Sequence, residues 1–245
     1  MASRPQPEQQ APPVQRLRVR YAKRGRARFA SHRDFSRAFE RALRRAGVPM
    51  AYSSGFSPHP RISYANASPT GAASEAEYLE IGLSQVCDPV QVRAALDAAL
   101  PPGLDIVEVV TSAPGPLADL LTGSRWLLEL RLACDVDLDE AVRRFLAAPT
   151  VSVQRMTKNG LRDFDARAAV VAIEVVGGGL ELILVHQVPL VRPDDVLAAL
   201  AVVNPDFAVE GIPVLTRLSQ GVLDVGSGEI AEPGGGFGGL VNGDV

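Results

Sequence analysis

Two alternating apolar runs, ARAAVVAIEVV (166–176) and LELILVHQV (180–188), face each other across Gly177-Gly178-Gly179. A tight glycine connection of this kind joins antiparallel neighbours, so a single all-parallel sheet is excluded. The segments around this hairpin alternate strand and helix. WLLELRLAC (126–134) reads as a strand, LDEAVRRFLAA (138–148) as a helix and VSVQRMT (151–157) as a strand. VRPDDVLAALAVV (191–203) is a helix with Asp194 and Asp195 favourably placed in its first turn, and FAVEGIPVLTRLS (207–219) closes as a strand. By alternation Leu128, Leu130, Val171 and Ile173 point inward, while Val142, Phe145, Leu197 and Leu200 line the helix undersides.

The first half shows a related order. RLRVRYAKR (16–24) and RARFA (26–30) alternate around Arg24-Gly25, which predicts a hairpin with a basic face. Ser31 is placed as an N-cap with Asp34 three residues on, and the helix runs to Arg45–Ala46 with Gly47 as its C′ residue. MAYSSGF (50–56) and RISYANA (61–67) read as short strands about a Ser-Pro-His-Pro turn. AEYLEIGLS (76–84), VQVRAALDAAL (90–100) and LDIVEVVTS (104–112) read as strand, helix and strand. The expected class is α+β: two ferredoxin-like β-α-β-β-α-β halves with antiparallel sheets, 16–116 and 117–224. Residues 1–15, rich in Pro and Gln, and the glycine-rich 225–245 are expected to be disordered tails.

Charge is distributed unevenly over this frame. Arg16–Ile62 holds thirteen of the 25 Lys and Arg residues against two acids, a formal +11 in a chain of net charge −3. Such segregation points to a polyanionic partner. On the helix, Phe35, Ala38, Phe39, Ala42, Leu43 and Ala46 share the apolar face. Arg37, Arg41, Arg44 and Arg45 lie opposite, with only Glu40 spaced to pair with them. Alternation puts Arg16, Arg18 and Arg20 on one strand face, and Arg24, Arg26 and Arg28 on another. RNA is the expected partner, and its backbone phosphates the expected contact, because few aromatics look exposed enough for base stacking. A solvated helix face is the plainer alternative.

The turn Ser54–Arg61 is stiffened by Pro58 and Pro60, which hold His59 beside Arg61. It is expected to pack against the helix start, where Ser31 and His32 sit beside free amides that favour an anion. The candidate phosphate-binding set is Arg18, Arg20, Arg26, Arg28, Ser31, His32, Arg37, Arg41, Arg44, Arg45, His59 and Arg61. His32 and His59 are also candidate catalytic residues, able in principle to relay protons in RNA cleavage. The plainer alternative makes His59 a turn residue and His32 a helix-start residue; His186 reads as structural.

Several chemistries are not supported. Cys87 and Cys134 are isolated, so the three thiolates of a radical SAM iron–sulfur cluster are missing. The three histidines show no metal-binding spacing. No cofactor or metal is expected in this chain, nor any membrane span or secretory signal, and a cytoplasmic location is expected.

RFASHRD (28–34), RAFERALRRAG (37–47), YSSGFSPHPRI (52–62) and SPTGAASEAEYLEI (68–81) resemble the radical SAM-linked protein family, a domain of unknown function. The resemblance is specific over about 16–112 and looser beyond; Arg33 stands where the family usually has Leu before the Asp. It implies a partner rather than an activity: a radical SAM protein, fused or separately encoded, near a ribonuclease E/G and ribosomal proteins. The expected function is therefore an RNA-binding accessory protein presenting RNA, either tRNA or rRNA, to a radical SAM enzyme. An RNA-processing or RNA-modifying enzyme using His32 and His59, and a protein–protein adaptor for a radical SAM or ribonuclease partner, are the alternatives.

Overall fold

The computed structural model describes residues 9–133, 136–157 and 160–233. The chain is α+β, and its described residues divide into two compact units, one within 9–70 and 74–119, the other within 71–73 and 120–233. Among the described residues no helix is long and apolar enough to cross a membrane.

The first unit contains β1 (Gln15–Lys23), α1 (His32–Arg45), β2 (Ile62–Ala65), β3 (Ala73–Leu83), α2 (Pro89–Ala99) and β4 (Leu104–Thr111). β1 lies between β4 and β3, antiparallel to both, and β2 pairs with β3. Leu17, Val19 and Tyr21 of β1 pack with Phe35, Phe39 and Leu43 of α1 and with Leu96 of α2 in one buried cluster. α1 follows its sequence signals closely. Ser31 Oγ accepts from the Asp34 amide at 3.2 Å, and Gly47 adopts φ +65° just past the C-cap.

The hairpin expected at 16–30 does not form. Gly25–Phe29 is a short 3₁₀ helix, and the Arg24 amide donates to Gly103 O at 2.8 Å. Both edges of β1 are taken by β3 and β4, so a returning strand would have no ladder to join. Met50–Phe56 is likewise not a strand; isolated bridges, Met50 to Leu83 and Tyr52 to Pro60, and single backbone bonds such as Ala51 N to Gly82 O and Ser53 N to His59 O hold it.

The second unit contains β5 (Gly123–Glu129), α3 (Leu138–Ala147), β6 (Ser152–Thr157), β7 (Gly160–Asp165), β8 (Val170–Val176), β9 (Gly179–Val185), α4 (Pro193–Val203), β10 (Val214–Leu223) and β11 (Ile230–Ala231). Its sheet runs β10-β5-β9-β8, and β6 and β7 form a separate two-stranded ladder. Leu128, Ile173, Val142, Phe145, Leu197 and Leu200 are buried as alternation and helical period require, and Leu130 packs against the same cluster. Val171 is the exception. A register shift between Val170 and Ala172 interrupts the alternation there, and Val170 takes the inward position.

The ends are more ordered than composition suggests. Gln10 donates its amide to Ser54 Oγ and Val14 to Leu83 O, and β11 pairs with Val222 and Leu223 of β10. The remainder of both expected tails, 1–8 and 234–245, and Cys134 lie outside the described residues. Cys87 is a free, half-buried thiol.

Candidate nucleic-acid interface

α1 presents its arginines as helical spacing requires. Arg37, Arg41, Arg44 and Arg45 are all exposed, opposite the buried Phe35, Phe39, Ala42 and Leu43. Arg33, exposed one turn earlier, extends the row beyond the expected set; its i, i+4, i+8 spacing with Arg37 and Arg41 is the sequence signal for that place. From Arg33 to Arg44 the row spans about 16 Å of helix at ~1.5 Å per residue. Among the described residues none of these side chains forms an ion pair with a carboxylate, and Glu40 pairs with none of them. Arg45 is partly engaged, donating to Ala99 O at 3.1 Å. The Asp34 carboxyl is held below the usual range, first by the Ser31 hydroxyl that donates to it at 2.6 Å and further by Arg37 and Arg33.

The strand arginines do not continue this row. Arg18 is fully buried, with Nε and Nη2 donating to Glu80 Oε1 at 3.1 and 2.8 Å. It faces Glu80 directly across the β1–β3 ladder, and no phosphate reaches it. Arg20 is half-buried and donates to Glu75 O at 3.1 Å. Arg24 is bound to Glu75 and Asp105, which hold its proton more firmly than usual. Arg26 is exposed; Arg28 is half-buried with its guanidinium over the Phe29 ring. The expected two basic strand faces thus reduce to single residues, because a central strand cannot offer either edge or much of its side-chain surface to a ligand.

The two candidate catalytic histidines are set differently. His32 is exposed and meets the Tyr64 ring edge-on at 4.8 Å between centroids. His59 is exposed, and its backbone is fixed by Ser53: Ser53 N donates to His59 O at 2.8 Å and His59 N to Ser53 Oγ at 3.0 Å. The expected packing of the 54–61 turn on the start of α1 is not among the hydrogen bonds of the described residues. The hydrogen bonds of the turn and its flanks run to Gln10, Tyr52, Ala51 and Gly82. β2 pairs Ile62 with Ile81 and Tyr64 with Leu79, and Tyr64 meets the helix start at His32.

Aromatic residues are more exposed than the sequence suggests. Phe56 is 71% exposed, Phe29 56% and Tyr52 40%. His186 is structural: its Nδ1–H donates to Leu121 O at 2.7 Å, and Nε2 accepts from Ser124 Oγ at 2.9 Å. Trp126 Nε1 donates to the same Ser124 oxygen at 2.8 Å, so the chain of donors runs in one direction only with a neutral imidazole.

No curated protein matches this chain. A solved structure described as an unknown protein from Galdieria sulphuraria is similar at 16% identity, covering 83% of this chain and 98% of that one, with a TM-score of 0.25. Over residues 16–193, which hold α1, its arginines and the 52–61 loop, the chain matches and belongs to the family "Uncharacterized protein conserved in bacteria (DUF2344)".

Proposed function

We propose that this protein binds RNA through the arginine row of α1 and presents it to a separately encoded radical SAM enzyme in the cytoplasm. The observation that carries the reading is that Arg33, Arg37, Arg41 and Arg44, on one exposed helical face, form no ion pair with a carboxylate among the described residues, Asp34 acting on Arg33 and Arg37 only through space. Four guanidinium groups so placed repel one another unless an anion meets them, and their forks suit phosphate oxygens. Contacts of this type position RNA without reading its sequence. The radical SAM partner, and the neighbourhood of ribonuclease E/G or the ribosome, rest on the resemblance of residues 28–81 alone. Both units are read as ferredoxin-like. The order β4-β1-β3 with β2 on β3, and the order β10-β5-β9-β8, support that reading, with β6 and β7 as an inserted ladder.

The test is RNA affinity across a salt series for the wild type and for Arg41→Glu/Arg44→Glu. The double variant should bind tRNA and unrelated RNA more weakly alike, with an unchanged melting temperature. For a single-stranded site the log–log salt slope should fall by about 0.7 for each phosphate no longer neutralised. Wild-type affinity and slope in the variant would leave the row a solvated face.

A further inference from the structure

In the first unit, the loop Tyr52–Arg61 borders a cavity of about 280 Å³ whose polar lining includes Arg16, Ser53, Arg61, Ser63 and Glu80. Its charge is one-sided. Glu80 already accepts from buried Arg18, whereas exposed Arg16 has no side-chain partner among the described residues. Arg61 commits Nε to Tyr52 O at 3.1 Å, which orients the guanidinium and leaves its two terminal nitrogens for a ligand. Two guanidinium groups and two hydroxyls around one opening favour an anion with several acceptor oxygens. The loop itself supplies a second observation. Phe56 and Tyr52 leave their rings in water, on a support pinned by the Ser53–His59 bonds and by Gln10 on Ser54. The rings do not line the cavity; they sit on the same loop that lines it through Ser53, Pro60 and Arg61. Exposed rings on a stiff loop that also borders a cationic pocket are parts used to hold unstacked bases. At about 280 Å³ the cavity has ample room for a phosphate group.

We propose that this loop docks one unstacked nucleotide of single-stranded RNA, its phosphate between Arg16 and Arg61 and its base against Phe56. The proposal rests on the RNA reading above and adds to it a preference for single strands. Its test uses the full chain with two probes: a fluorescein-labelled oligouridylate of about ten nucleotides, within the ~4–16-nucleotide range of single-strand sites, and a duplex RNA of equal length. Phe56→Ala should weaken oligouridylate binding roughly five- to 150-fold and leave duplex binding unchanged. Arg16→Glu should act in the same direction on the oligouridylate. Phe56→Trp should retain binding and show quenching by the oligouridylate, against a background from the single native Trp126, which is 5% exposed. Wild-type binding by Phe56→Ala, or equal weakening of both probes, overturns the loop site; if Arg41→Glu/Arg44→Glu still weakens both probes, the RNA reading stands without it. If the wild type binds neither probe, the RNA reading and the loop site fall together.

Discussion

Arg18 and Arg41 show how differently two residues of the same type are used. Arg18 has no exposed surface, and its forked bond to Glu80 satisfies a carboxylate whose side chain is only 11% exposed. Arg18→Ala should cost ~3–5 kcal/mol of stability, because Glu80 is left charged without its partner. Thermal unfolding should register this, while the duplex RNA affinity of the folded variant, carried by α1, stays at the wild-type value. Arg41→Glu should give the opposite pair of results. His186 provides the pH-sensitive residue. Burial is the main cause that holds its pKa below the usual 6.5, opposed by the bond to Leu121 and reinforced by Arg217. The unfolded chain therefore takes up a proton first. This contribution to stability is complete above about pH 6.5 and is lost as pH falls from there through the folded pKa. Melting temperatures between pH 8 and 5 should fall less steeply for His186→Gln than for the wild type; parallel curves would show that the imidazole does not report on folding.

At the scale of elements, the hairpin of β8 and β9 separates what a turn needs from what a sheet needs. Its loop is two residues, Gly177 and Gly178, with φ of +53° and +81°. Asn is readily accepted at the first such position, so Gly177→Asn should leave stability within about 0.5 kcal/mol. Gly179 has a different reason to be glycine. It is the first residue of β9, and a Cβ there would lie 2.1 Å from Leu128 O of β5. Gly179→Ala should therefore force the β5–β9 ladder apart and lower the denaturation midpoint far more than Gly177→Asn does. Equal midpoints for the two variants would mean that the strand end yields without cost. Just past α1, by contrast, nothing lies within 4 Å of a Cβ at Gly47, so Gly47→Ala costs only its left-handed backbone, ~1–2 kcal/mol.

At the scale of the whole molecule, net charge and local charge point in opposite directions. The chain carries −3 overall with a pI near 5.7, yet the guanidinium groups of α1 form no ion pair with a described carboxylate. Screening limits each charge to about 8–10 Å at physiological salt, so a polyanion at α1 responds to the row and not to the total. The protein should consequently be retained on immobilised heparin at pH 7 and low salt despite its negative charge. Arg37→Glu/Arg41→Glu should elute in the wash; unchanged retention would place the polyanion site elsewhere.

The sequence alone determined the α+β class, the position of α1 with its caps, and the exposed row of Arg37, Arg41, Arg44 and Arg45. These features depend on period, capping and turn residues, which are relations between near neighbours. The tertiary structure decided which charges remain available. Arg18 and Glu80 are 62 residues apart in the chain, and Arg24 meets Glu75 and Asp105 across similar separations. No local pattern encodes those pairings, because they arise from the register of β1 between β3 and β4. The same register excluded the first hairpin, and the pairing of β2 with β3 carried Tyr64 to the start of α1. Exposure of Phe56 was equally hidden, since an aromatic residue reads as core until its neighbours in space are known.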